Sequence, residues 1–101
     1  MSKDKTLALL GLAVRARKVL SGEGTVLAEI KNHPGAVVFL ASDAGQNIQK
    51  KIQDKAHTYD CLVLDQYSKD ELSHAMGKTH RTLALCTDKG FNKTFKEYNH
   101  S

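Results

Sequence analysis

Two short, uninterrupted apolar runs constrain the fold of this chain more than any other feature of its 101 residues. The runs are residues 36–41 and 61–64, and both have the length of a β-strand. Strands that are apolar without alternation are typical of sheets covered on both faces. Further strands are predicted at 18–20 and 81–86.

The segments between these strands carry apolar residues at helical spacing, which predicts an alternation of helices and strands. Ser21 is the expected N-cap of the second helix, Ser42 or Asp43 that of the third, and Gly77 the end of the fourth. A capping box at Ser68 and Glu71 opens that fourth helix. Helices are predicted over 4–15 and 23–31, around Ile48, Ile52 and Ala56, from 68 to 76, and around Phe91, Phe95 and Tyr98. We therefore predict an α/β fold: a compact three-layer α/β/α sandwich with a mainly four-stranded mixed sheet.

Composition and length indicate one globular domain over residues 1–101, with 99–101 expected to fray. The net charge of +4 is compatible with RNA or another anionic surface. No apolar run reaches the roughly 20 residues of a membrane span, and the first residues do not resemble a secretory signal. Cys61 and Cys86 lack metal-ligand spacing, so we expect free, buried thiols. These features predict a cytoplasmic protein without a membrane partner, and we expect a monomer.

Acidic residues follow three predicted strands, at Asp43, Asp65 and Asp88. Carboxylates at strand ends could bind magnesium, whereas Asp43 and Asp88 could instead cap the helices that follow them. The capping interpretation is favoured. Phosphate-loop motifs are absent and the five histidines lack ligand spacing. We predict no enzymatic activity, no cofactor and no metal.

A basic cluster precedes a small-residue segment near the predicted second helix. Arg17 and Lys18 lie just before residues 21–25, and Lys31 lies about two turns along the helix. Cations beside a helix N-terminus, with small residues that permit close approach, suit a nucleic-acid phosphate or base. The alternative is a capped helix with ordinary solvated basic side chains nearby.

Several motifs resemble the bacterial YlxQ-type branch of the ribosomal protein L7Ae family, which binds kink-turn RNA. They cover nearly the whole chain in order: LLGLAVRARKVLSG at 9–22, VVFLASD at 37–43, YSKDEL at 67–72, AMGK at 75–78 and TDKGF at 87–91. The resemblance implies the α/β/α sandwich and a non-enzymatic RNA-binding role connected with ribosomes or translation factors. In this family the RNA surface combines the start of the second helix with a loop before a later helix.

The family's strong kink-turn binders carry Gly-x-Asn-Glu-x-x-Lys at that helix. Here Gly22 matches the glycine, whereas Gly24, Thr25 and Ala28 replace the asparagine, glutamate and lysine. We expect residues 22–25 to approach the RNA, the nearby cations to contact phosphates, and Tyr67 to pack on an exposed base. The predicted RNA-binding set is Arg17, Lys18, Gly22, Glu23, Gly24, Thr25, Ala28, Lys31, Gln66 and Tyr67. The alternative function is a protein-interaction module of the translation machinery that has lost kink-turn recognition.

Overall fold

The computed structural model describes residues 2–99, with side chains from residue 5 onward. Within these residues helices and strands alternate as the sequence predicts. The elements are α1 (Ser2–Arg15), β1 (Val19–Ser21), α2 (Glu23–Glu29), a 3-10 turn (Ile30–Asn32), β2 (Val37–Leu40), α3 (Gln46–Thr58), β3 (Leu62–Leu64), α4 (Lys69–Met76), β4 (Leu83–Cys86) and α5 (Lys89–Tyr98).

The four strands form one mixed sheet in the order β1-β4-β2-β3. β2 and β3 are parallel, with Val38 opposite Val63, whereas β4 is antiparallel to both β1 and β2. The carboxyl ends of β1, β2 and β3 therefore meet the amino end of β4 at one edge, which we call the upper edge. The lower edge holds the residues that precede β1, β2 and β3 and those that follow β4.

The sheet is covered on both faces, which confirms the predicted three-layer sandwich. All four residues of β2 are buried, and successive strand residues point to opposite faces, so both faces must be packed. α1 packs against α4 and α5, and α5 contacts β2 through a T-shaped Phe39–Phe95 pair with ring centroids 5.0 Å apart. α2 and α3 contact each other and the strands, forming the other layer.

The second apolar run is less buried than predicted. Leu62 in β3 is 37% exposed because β3 has a neighbouring strand on one side only. The Cys61 thiol is likewise only partly buried, whereas Cys86 in β4 is fully buried, and both cysteines are free.

Helix starts agree with the sequence at α4 and α5 but not at α2 and α3. The Ser68 capping box and the left-handed Gly77 are confirmed, and the Asp88 carboxylate accepts a hydrogen bond from Phe91 N–H. The N-cap predictions for Ser21 and for Ser42 or Asp43 are wrong. Gly22 and Gly45 occupy those N-cap positions.

Asp43 instead bridges two segments of the upper edge. Its carboxylate Oδ1 accepts a 2.8 Å hydrogen bond from Lys69 N–H, at the first residue of α4. The sequence showed a capping residue but not which helix it caps, because the two groups are 26 positions apart.

The Asn99 side chain is anchored rather than frayed. Its amide nitrogen donates to the Phe95 carbonyl and to the Thr6 hydroxyl, at 2.8 Å and 3.3 Å. Residues 100–101, also predicted to fray, lie outside the described residues. Among the described helices, none has the length and apolar character needed to cross a bilayer.

Candidate nucleic-acid interface

Gly22 fixes how the chain turns from β1 into α2 at the upper edge. Its φ of 101° lies in a region that side-chain-bearing residues rarely adopt, so glycine is required here. Its N–H donates to the Leu83 carbonyl at 3.1 Å, which ties the start of α2 to the start of β4. The start of α2 is thus held in place by the sheet.

The first turns of α2 are open to solvent. Glu23, Gly24, Thr25 and Ala28 are exposed, and a Cβ atom added at Gly24 would meet open space. No N-cap side chain accepts from the first N–H groups of α2. These groups carry the positive end of the helix dipole, so this surface can accept a phosphate or base acceptor atom.

The segment between α4 and β4 lies beside the start of α2. The Arg81 guanidinium Nε donates to the Ser21 hydroxyl at 3.1 Å, and the Thr82 hydroxyl donates to the Glu23 carboxylate at 3.0 Å. Arg81 N–H also donates to the Ser73 hydroxyl, which fixes the segment on α4. We call residues 22–25, Ala28 and residues 78–82 the α2/β4 surface.

Sequence reasoning missed the contribution of residues 78–82. Arg81 was predicted only as the start of a strand, and it lies 60 positions from the serine it contacts. The antiparallel pairing of β1 with β4 brings the two together. No local pattern in the sequence indicates that pairing.

The predicted cations Arg17 and Lys18 do not flank the start of α2. They precede β1 at the lower edge, where the Lys18 carbonyl accepts from the N–H and hydroxyl of Thr87 at 2.8 Å and 3.1 Å. The three residues of β1 separate them from Gly22 by roughly 10 Å of strand. Lys31 is exposed in the 3-10 turn beyond the far end of α2.

Tyr67 cannot pack on an exposed base, because its side chain is fully buried. Its carbonyl accepts from Ser42 N–H at 2.7 Å, which joins the segments following β2 and β3. The neighbouring Gln66 is exposed, and its amide donates to the Asn99 side chain at 2.9 Å. In the predicted second loop, residues 65–67, the side chains of Asp65 and Gln66 are therefore exposed and that of Tyr67 is not.

The three strand-end aspartates do not converge on a metal site. Asp43 and Asp65 lie at the upper edge, but Asp88 lies at the lower edge because β4 runs in the opposite direction. Among residues whose side chains the structure describes, no three His, Cys, Asp or Glu side chains are grouped to hold a metal ion. Burial raises the pKa of the Cys86 thiol, so this cysteine stays protonated at neutral pH.

The sequence profile of the Ribosomal protein L7Ae/L30e/S12e/Gadd45 family matches residues 4–96. This chain belongs to that family. It is similar to the RNA-binding protein YlxQ of Enterococcus faecium, with 35% identity over 95% of this chain and 92% of the relative. It is also similar to the RNA-binding protein YlxQ of Bacillus subtilis, with 42% identity over 90% of this chain and 91% of the relative.

Two of the solved structures that are similar to this chain superpose on it closely. A protein of unknown function from Bacillus halodurans gives a TM-score of 0.87 at 37% identity, covering 93% of this chain and 95% of that one. The Giardia lamblia 15.5kD RNA binding protein gives a TM-score of 0.78 at 15% identity, covering 96% and 83%. This second likeness supports the fold alone.

Proposed function

We propose that this L7Ae-family chain is a non-enzymatic protein that binds a structured, kink-turn-like RNA through its α2/β4 surface. The observation that carries RNA binding is the near-full-length similarity to two relatives named as RNA-binding proteins. The protein acts as a monomer in the cytoplasm, with a ribosomal or other structured RNA as its partner.

Three features at the start of α2 make this surface suitable for RNA. Exposed small residues permit close approach, free helix N–H groups supply donors, and Arg81 and the exposed Lys78 supply positive charge. Arg17 and Lys18 lie at the other edge of the sheet and do not contribute to this surface. The Tyr67 ring is buried and does not contribute to it either.

Recognition of the kink-turn G·A pairs is expected to be weaker than in the family's strong binders. Gly24 and Ala28 offer no polar side chain, and Thr25 offers a hydroxyl in place of a carboxylate. Each missing base contact removes about 1–3 kcal/mol of discrimination. Backbone N–H groups and Arg81 remain to contact the RNA.

The test is a titration with a kink-turn RNA and with the same RNA lacking its G·A pairs, at several salt concentrations. We expect salt-sensitive binding that weakens when the pairs are removed. Lys78→Gln should reduce the slope of log affinity against log salt by about 0.9. The matched control Lys50→Gln, on the exposed side of α3, should leave the slope nearly unchanged.

A gain-of-function variant tests directly whether the α2/β4 surface contacts the G·A pairs. Gly24→Asn, Thr25→Glu and Ala28→Lys restore the family's side chains at exposed positions, and the added Asn has open space. The triple variant should prefer the kink-turn RNA over the pair-deficient RNA at least about tenfold more than the parent does, given about 1–3 kcal/mol per base contact. An unchanged preference would refute the assignment of this surface.

The alternative, a protein-interaction module, has one structural observation in its favour. A groove between α1 and α4 contains Leu12, which is 50% exposed, beside Gly11 and Ala75. If neither RNA binds at low salt, a complex with a translation protein should persist in RNase-treated extract, and Leu12→Glu should disrupt it.

A further inference from the structure

The lower edge of the sheet carries a set of positive side chains that the α2/β4 surface does not use. Arg17 and Lys18 precede β1, and three lysines lie on α5, which follows β4. The Lys18 carbonyl bonds to Thr87, two positions before α5 begins, so the two groups of cations occupy the same edge. All of them are exposed: Arg17, Lys18, Lys89, Lys93 and Lys96.

A groove of about 600 Å³ runs between α5 and the turn before β2. Lys89, Lys93 and Lys96 line it, and their spacing places them along one face of the helix. The Lys96 ammonium donates to the Gly35 carbonyl at 2.6 Å, which joins the two sides of the groove. At Gly35 itself a Cβ atom would meet open space, so a ligand can approach the backbone closely.

The acidic residues at the lower edge do not cancel this charge. The Asp88 carboxylate is occupied in capping α5, Glu97 lines the groove, and Asp60 is exposed just before β3. At the upper edge, the exposed carboxylates of Glu23, Asp43 and Asp65 offset the positive charge of Lys78 and Arg81. The exposed cations at the lower edge outnumber the carboxylates around the groove, so this edge can attract a polyanion by itself.

We infer that the lower-edge groove binds the phosphodiester backbone of RNA as a second contact surface. This inference rests on the proposed function in taking RNA as the ligand. Lysine ammonium groups on flexible stems neutralise phosphates without reading sequence, so this surface adds affinity and salt dependence rather than specificity. An RNA that contacts both surfaces must extend across the molecule, which measures 29 × 27 × 25 Å.

The test uses a short oligouridine RNA, which has no kink-turn and reports on backbone binding alone. In two-dimensional amide NMR spectra, we expect shifts at Gly35, Lys89 and Lys93, and around Lys18. In anisotropy titrations, Lys89→Gln with Lys93→Gln should lower the salt slope by about 1.4, the value for two single-strand phosphate contacts. The control pair Lys50→Gln and Lys51→Gln removes the same charge from α3 and should change the slope by less than half as much.

Two results would overturn the inference. One is an equal effect of both variant pairs, which would mean that only total charge matters. The other is a set of NMR shifts confined to residues 22–25 and 78–82, or no shifts at all. The kink-turn titration with Lys78→Gln tests the proposed function separately, so either proposal can fail while the other holds.

Discussion

Removing the small Asn92 side chain should lower the free energy of unfolding substantially. Asn92 lies on α5 and is 8% exposed, and its amide joins the ends of two strands. The oxygen accepts from Val37 N–H at 3.0 Å, and the nitrogen donates to the Cys86 carbonyl at 3.1 Å. Both partner residues are fully buried, so water cannot easily replace the amide.

Asn92→Ala would leave one buried N–H and one buried carbonyl without partners. At about 1–3 kcal/mol for each such group, the loss is about 2–6 kcal/mol. The better helix propensity of alanine returns about 0.6 kcal/mol. The net destabilisation of about 1.4–5.4 kcal/mol is a large share of the roughly 5–15 kcal/mol typical of a domain.

Urea denaturation followed by circular dichroism measures this change. For a slope of about 2 kcal/mol/M, the midpoint should fall by about 0.7–2.7 M. Asn92→Leu keeps the branched shape without leaving a cavity or making the hydrogen bonds, and it should remain destabilised, which separates bonding from cavity formation. Asn47→Ala, at an exposed position of α3, is the matched control and should change stability by less than about 0.5 kcal/mol. A loss below about 1 kcal/mol for Asn92→Ala, or full recovery by leucine, would refute the reasoning.

Three further predictions concern a helix end, a helix start and a thiol. Asp60 has a φ of 60° just after α3, so Asp60→Gly should raise stability by about 1 kcal/mol in thermal unfolding; a lower melting temperature would contradict it. Ser68→Ala removes the capping box of α4 and should lower stability by about 1 kcal/mol in the same assay, whereas Ser42→Ala, at an exposed loop position, should not. Cys86 should resist a thiol reagent at pH 8 in the folded protein while Cys61 reacts, because burial raises the Cys86 pKa. The stability that depends on the neutral Cys86 thiol is present at neutral pH and is lost as alkaline pH approaches the raised pKa, so Cys86→Ala should reduce the alkaline loss. Equal reactivity of both thiols in native protein would show that Cys86 is accessible.

Local chemistry allowed part of the site to be predicted. The structure exposes Glu23, Gly24 and Thr25 as expected, whereas the positive φ of Gly22 was not predicted, because Ser21 was expected to be the N-cap. Their role in RNA binding remains a prediction. The sequence could not indicate Arg81, because its contact with Ser21 depends on which strands pair.

Residues with positive φ at helix ends were likewise only partly predictable from the sequence. Gly77 was predicted as a helix end because glycine adopts positive φ freely. Arg17 and Asp60 adopt φ values of 61° and 60° without being glycine. In both cases the N–H of the next residue donates to a carbonyl of the preceding helix: Lys18 N–H to the Ala13 carbonyl, and Cys61 N–H to the Ala56 carbonyl. Packing of the whole turn therefore imposes the conformation.

By itself the sequence determined the fold class of this protein. Strands that are apolar on both faces must be covered on both sides, and the segments with helical periodicity supply that cover. The sequence also determined the Ser68 capping box, which depends on residues only three positions apart. Strand direction was decided only in the tertiary structure. The antiparallel course of β4 places Arg81 beside α2, whereas β1 separates Lys18 from α2, although Lys18 is the closer of the two in sequence. Burial of Tyr67 was decided there as well, since a loop side chain becomes core only when neighbouring segments close over it.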